Sequence, residues 1–328
     1  MNAVQESALR TGGRAAIWRR IIATREIPLL ALIAVVVLVM SIASPYFFSA
    51  SNFRAMAIGL VPTAIIAIGM TLLLVSGAFD LSVGSVLALT GTVVALLIVR
   101  GAPVVVAVPI TALAGAAIGL VNGVLVTRLS VNPLVATLGT MSVARGLALV
   151  LTEGYSVSGL PPSFGFVGVA SWFGIPIMVV IAIAMVVAAD LALRHTRALR
   201  QLYYVGSNET AARLSGIRVD LVRIVAYVAT SLLATLAGIL LASRLMAGTP
   251  TAGSGLELQV LAAAVIGGAS LRGGEGTVLG AFLGVVFVAL INNAMTMLAV
   301  SIYWQMVVIG VVLAVAVALD MLVRRRQG

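Results

Sequence analysis

Residues 56–99 read MAIGLVPTAIIAIGMTLLLVSGAFDLSVGSVLALTGTVVALLIV. The stretch is apolar on both sides of a single ionisable residue, Asp80. Each flank is close to the ~20 residues that a helix needs to cross the hydrocarbon core of a bilayer. The apolar runs are continuous rather than alternating, which predicts helices and argues against the strands of a membrane barrel. The same pattern runs through all 328 residues, of which 62% are hydrophobic types and 9% charged. Soluble domains are nearer about half apolar and about a quarter charged. A water-soluble globule could not hide so much apolar surface. The predicted fold class is all-α, a polytopic membrane helical bundle.

Ten apolar segments can be drawn, over 28–48, 56–76, 81–99, 103–126, 132–151, 173–193, 220–246, 257–270, 277–299 and 302–323. About ten transmembrane helices are therefore expected, of which the third, eighth and ninth are short or glycine-interrupted and are candidates for broken or re-entrant helices. With the N-terminus inside and sides alternating, 16 of the 20 Arg fall on the cytoplasmic side, and only Arg54 and Arg100 fall outside. Basic loops face the cytoplasm, so both termini are expected there. The chain then divides into a cytoplasmic N-terminal segment (1–27), a transmembrane domain (28–323) and a cytoplasmic tail (324–328). An external loop at 152–172, with two Pro and several aromatics, is expected to lie ordered on the surface. The loop at 194–219 is cytoplasmic and polar. Residues 1–26 carry five Arg and two Glu without an apolar core of their own, so no cleavable leader is expected.

Residue types also exclude chemistry. All 20 basic residues are Arg. A P-loop ATPase needs a Lys against the nucleotide phosphates, so ATP hydrolysis by that route is excluded for this chain. No Cys is present and His195 is the only His, which removes disulfides, thiolate nucleophiles and His-rich metal sites. No catalytic residue and no metal site are predicted. The net charge of +10 reflects basic loops beside a lipid bilayer, not a nucleic-acid partner.

Candidate residues for chemistry are few. Asp80 reads either as an ion site or as a helix N-cap ahead of an apolar run. Glu257 and Glu275 stand at the starts of the eighth and ninth segments, where the helix dipole favours anions. Asp190 and Asp320 stand near cytoplasmic ends, within reach of Arg. Asn122, Asn132, Thr137, Thr140, Ser142 and Arg145 form one buried polar group; Gln259, Asn292, Asn293, Trp304 and Gln305 form another. Such amides and hydroxyls can bind sugar hydroxyls, and they can equally join helix to helix. Thr137, Met141, Ala144 and Arg145 share one face at helical spacing, and a buried Arg145 needs a partner. A translocation path through Asp80, Asn122, Thr137, Thr140, Arg145, Gln259, Asn292, Asn293 and Gln305 follows as an expectation. Asn208–Gly216 (NETAARLSG) reads as a short capped helix ended by glycine, either a docking element for a soluble partner or a surface connector. GAFDLSVGSVL (77–87) returns with one insertion as GASLRGGEGTVL (268–279), which suggests an internal repeat.

Several motifs taken together resemble one family. GMTLLLVSGAFDLSVGSVLALTG (69–91), NPLVATLGTMSVARGLALVLTEG (132–154), VGSNETAARLSGIRV (205–219), PTAGSGLELQVLAAAVIGGASLRGGEGTVLGAFLG (250–284) and NNAMTMLAVSIYWQMVVIG (292–310) resemble, in order and spacing, segments of the permeases of ribose/xylose/arabinose-type ABC sugar importers. The resemblance covers roughly 45–326. It implies a bacterial inner-membrane subunit that forms a pore with a second permease chain, either identical or similar. A cytoplasmic ABC ATPase, which binds ATP and Mg, would power it, and a periplasmic sugar-binding protein would feed it; this chain would hold no cofactor. It further implies an ATPase-coupling element at 197–216, with Arg197, Asn208, Glu209, Ala211, Ala212, Ser215 and Gly216. Phe79, Leu134, Arg272 and Glu275 depart from the family pattern and leave the sugar open. Three alternatives stand beside this reading: the same machinery for an autoinducer or nucleoside, a secondary transporter coupled through Asp80, and a passive channel. The last lacks the paired Asn-Pro-Ala motifs of aquaporin-like channels, since the one Asn-Pro is at 132–133.

Overall fold

The apolar runs fold as helices. A computed structural model describes residues 26–301 and, beyond them, 303–305, 307–311, 314, 315 and 318. The Arg-rich start of the chain, half of the tenth segment, Asp320 and the tail lie outside the described residues. In chain order the helices are α1 (Glu26–Ala43), α2 (Ala50–Val75), α3 (Val83–Val99), α4 (Val104–Thr127), α5 (Pro133–Thr152) and α6 (Pro162–Val169). A two-stranded antiparallel hairpin follows, β1 (Ser171–Trp172) and β2 (Ile175–Pro176). Then come α7 (Ile177–His195), α8 (Arg197–Ser207), α9 (Glu209–Leu214), α10 (Val219–Leu245), α11 (Leu256–Ile266) and α12 (Val278–Met297).

The first nine drawn segments each fall on one helix. Six helices are long and apolar enough to cross a membrane: α2, α4, α5, α7, α10 and α12. Three shorter apolar helices, within 27–43, 83–99 and 256–266, accompany them. The third and eighth segments are short, as expected, whereas the ninth is unbroken over the 20 residues of α12. Its glycines, Gly280 and Gly284, lie inside the helix and do not break it. Helix starts follow capping chemistry, which satisfies the orphan N–H groups of the first turn. Ser49 caps α2 by accepting from Asn52 N, Asn132 caps α5 through Leu134 N, and Thr277 caps α12 through Gly280 N. α2 therefore begins at 50, ahead of the apolar run that starts at 56, because Asn52 and Arg54 ride on its first turns.

The bundle is built around α2 and α10, against which most other helices pack. Residues 61–75 of α2 are buried throughout. α4 meets α10 through Gly115, Gly119 and Gly123, spaced one turn apart, where an added Cβ would overlap Thr235, Val228 and Ile224. Lipid gives no hydrophobic drive for helix association, so such small-residue stripes bring backbones into close contact. Ser231 Oγ adds a 2.6 Å hydrogen bond to the Gly115 carbonyl across this interface.

Loops gather at two ends. At one end the α2–α3 loop (76–82), the α4–α5 loop, α8–α9 and the α11–α12 loop (267–277) touch: Gly274 N donates to the Val75 carbonyl at 2.8 Å and Tyr203 Oη to the Gly276 carbonyl at 2.7 Å. At the other end Val157 bridges to Gly248, and Arg54 Nη2 donates to Ser171 Oγ at 2.8 Å. The loop at 152–172 is ordered, through α6 and the start of the hairpin.

Candidate coupling surface and translocation path

α9 is the capped helix expected from the sequence. Asn208 Oδ1 accepts from Ala211 N at 3.0 Å, and Gly216 ends the turn at φ +82°. Ahead of it, residues that read as a polar loop form the amphipathic helix α8, with Leu202 and Val205 buried and Arg197, Arg200 and Tyr204 exposed. Asn208, Ala211, Ser215 and Gly216 are exposed, as is Leu214 at 85%. Ala212 points inward, packed with Val205 and Val219. The outer face of α9 is thus Ala211, Leu214, Ser215 and Gly216, of which Leu214 was not anticipated.

Glu209 is held from two sides. Its Oε1 accepts from Arg213 Nε and Nη2 at 3.2 and 3.0 Å, and its Oε2 from Arg223 Nη1 at 2.6 Å. Partial burial works to raise the Glu209 carboxyl, but the hydrogen bonds from Arg223 and Arg213 outweigh it and hold the group below its ordinary value. Arg213 Nη2 also donates to Asp220 Oδ1 at 2.6 Å. Arg223, on α10, turns its remaining donors, Nε and Nη2, to the Ser76 carbonyl at the C-cap of α2, both at 3.2 Å. Sequence reading missed Arg223 and Asp220; the one available signal was the i,i+4 spacing of Glu209 and Arg213, which marks a helical ion pair.

Asp80 is not the α3 N-cap, a position that Ser82 occupies. It stands two residues earlier, fully buried. Its Oδ1 accepts from Ser82 N and Oγ at 2.7 and 2.6 Å, and its Oδ2 from Asn122 Nδ2 at 3.2 Å. Tyr227 Oη donates to the neighbouring Phe79 carbonyl at 3.1 Å. Asp80 and Asn122 thus fix the α2–α3 turn. Glu257 lies in the first turn of α11 as expected, while Glu275 lies in the loop ahead of Thr277.

The other polar residues separate into two groups. Gln259, Asn292 and Asn293 line, with Thr63 and Thr296, one cavity of about 280 Å³ between α2, α11 and α12. No charged side chain lines it. Asn293 exchanges amide hydrogen bonds with Asn52, at 2.7 and 3.2 Å, and Gln305 Nε2 donates to Thr296 Oγ1 at 3.2 Å. Asn292 Oδ1 is buried without a hydrogen-bond partner among the described residues. Thr137, Thr140 and Arg145 lie apart from this cavity, on α5. Both hydroxyls bond back to carbonyls of their own helix, and Arg145 Nη1 donates to the Pro250 and Ala252 carbonyls at 2.7 and 2.8 Å. Among the described residues no group of three or more acidic or His side chains is placed to hold a metal ion.

Residues 52–317 match the family described as branched-chain amino acid transport system / permease component. The ribose import permease protein RbsC of Escherichia coli K12 is 42% identical over 90% of this chain and 92% of its own. RbsC of Bacillus subtilis is 40% identical over 87% and 89%, and the L-arabinose transport system permease protein AraH of Escherichia coli K12 is 36% identical over 89% and 89%. No solved structure matches. An apolar bundle with six membrane-length helices among the described residues, aligned over about nine-tenths of its length with these relatives, is a multi-pass protein of the bacterial inner membrane, and the chain belongs to the ABC-importer permease family of which the ribose and arabinose permeases are members.

Proposed function

We propose that this chain is the membrane subunit of an importer for a monosaccharide of the ribose, xylose, arabinose or galactose class. The observation that carries this reading is the 42% identity to a ribose import permease over 90% of the chain. The matched family is described by amino acid transport, and the cavity supports a sugar over that substrate. An amino acid zwitterion held away from water calls for charged partners, whereas the polar side chains of this largely apolar cavity are all amides and hydroxyls, which suit a neutral polyol.

In this reading ten spans cross the membrane with both termini cytoplasmic. Support comes from the gathering of Arg128, Arg194, Arg197, Arg200, Arg213, Arg218, Arg223 and Arg272 at or beside the loops of one end of the bundle. That end, through the exposed face of α8–α9, docks a separate ATPase that carries ATP and Mg. A second permease chain completes the pore, and a periplasmic binding protein delivers sugar at the opposite end. The burial of Asp80 within its own turn, away from the cavity, weighs against an ion-coupled carrier.

The test is to co-express the chain with the ATPase of its operon, reconstitute both in nanodiscs and measure ATP hydrolysis with the cognate binding protein. Stimulation by the binding protein loaded with a pentose or hexose, and not with leucine or valine, is the expected result. Uptake into liposomes by the chain alone, driven by a proton gradient, would overturn the reading.

A further inference from the structure

The α2–α3 loop is tied to the cytoplasmic helices by one side chain. Arg223 is 18% exposed and spends its donors in two directions, Nη1 on Glu209 of α9 and Nε with Nη2 on the Ser76 carbonyl. Ser76 closes α2, and four residues later Asp80 fixes the turn into α3. A planar guanidinium can bridge two acceptors in a set geometry, which a flexible ammonium does poorly. The contact also places a cation at a helix C-terminus, where carbonyls lack intrahelical partners. No other side chain of the described residues joins α9 to this loop by a hydrogen bond or ion pair.

We infer that Arg223 is a positioning residue which conveys displacement of α9 to the α2–α3 break, so that ATPase closure moves the core of the bundle and not merely its surface. The inference rests on the proposed docking role of α8–α9. Docking itself uses the outer face of α9, around Leu214 and Gly216, which Arg223 does not touch. The two roles therefore separate under mutation.

The experiment uses the full importer in proteoliposomes, reading sugar uptake and ATP hydrolysis from the same vesicles. Arg223→Met keeps the stem and removes every donor. The expected result is a complex that retains its ATPase at the normal ratio and its basal hydrolysis, while uptake per ATP falls at least tenfold. Arg223→Lys keeps the Glu209 pair and should fall between. Wild-type uptake per ATP in Arg223→Met overturns the inference, as does loss of the ATPase from that complex, which would make Arg223 a support of the docking surface alone. Leu214→Asp tests docking independently, with loss of the ATPase expected. If Leu214→Asp keeps the ATPase and full uptake, the docking reading fails by itself, whatever Arg223→Met does.

Discussion

Two glycines with the same backbone conformation should respond unequally to the same mutation. Gly216 (φ +82°) and Gly273 (φ +91°) both occupy the left-handed region, where an L side chain costs about 1–2 kcal/mol. A Cβ at 216 meets nothing within 4 Å. A Cβ at 273 would lie 2.8 Å from the Gly206 carbonyl oxygen and 2.9 Å from the Cα atoms of Gly206 and Gly77. Carbon atoms rest at about 3.5–4.0 Å, so the three backbones must part by more than about half an ångström. All three neighbours are main chain and cannot rotate aside, so overpacking adds about 1–3 kcal/mol to the conformational cost. Gly216→Ala is therefore expected to destabilise by about 1 kcal/mol and Gly273→Ala by about 3 kcal/mol, a difference of roughly thirtyfold in the unfolding equilibrium. SDS-titration unfolding of the purified chain in mixed micelles measures both on one scale. Equal losses would refute the claim that α8 and the two loops meet as closed main-chain contacts at this point.

The Glu209 carboxyl lies below its ordinary value of 4.5, so its pairing should hold α9 in place above that pH and release it as pH falls through the lowered value. Hydrogen exchange of 209–214, corrected for intrinsic rates, should show the loss, and Glu209→Gln should abolish the pH dependence; protection that ignores acid refutes it. Asn293→Leu removes both hydrogen bonds of the amide exchange with Asn52 and should lower uptake severalfold without loss of assembly, measured by transport against co-purified ATPase. Unchanged uptake would remove the cavity from the path. Asp80→Ala leaves Ser82 N and Ser82 Oγ without their acceptor, while Asn122 Nδ2 keeps only its bond to Ser82 Oγ, and should cost about 3 kcal/mol, whereas Asp80→Asn, which keeps one acceptor, should retain transport. Loss of transport in a stably folded Asp80→Asn chain would instead require the charge.

The spans were legible because the bilayer admits so few solutions. A lipid-exposed backbone must bond internally, so runs such as 104–127 and 219–245 announce their structure by apolar length alone. α9 was legible for a different reason, the capping pattern of Asn208 with a terminal Gly216. α8 was not, since its buried stripe is narrow and lies among Arg, Gln and Tyr that read as loop. The N-cap of α3 was misassigned because Asp80 and Ser82 are both good caps two residues apart; the Asp80 carboxylate accepts from Ser82 N and Oγ in the turn ahead of the helix instead of capping it. The polar path was legible as composition but not as partnership. Asn52 and Asn293 are 241 residues apart, and nothing local to either names the other. The fold therefore pairs Gln259, Asn292 and Asn293 in one cavity while leaving Thr137 and Thr140 bonded within their own helix.

The two broken segments explain where the half-buried Arg145 belongs. α11 has 11 residues, which rise about 16 Å, roughly half of a bilayer core. If its cytoplasmic end lies beside α8, its other end, and residues 250–255 that lead into it, must sit at membrane depth. Irregular backbone at that depth is tolerated only where its carbonyls find donors within the protein. Arg145 supplies them, to Pro250 and Ala252, from the inward face of α5 that Ala144 and Ala148 pack against α3. The same residue that sequence reading placed on a substrate path is thus required by the fold itself, as the donor that lets a half-helix begin inside the bundle. At the opposite end of α11, Gly274 meets the Val75 carbonyl beside the turn that Asp80 fixes, so both interrupted segments converge on the helices proposed to receive the ATPase. The bundle's breaks are thus fastened at one end beside α8–α9, through Gly274, and at the other through the two carbonyls that Arg145 holds.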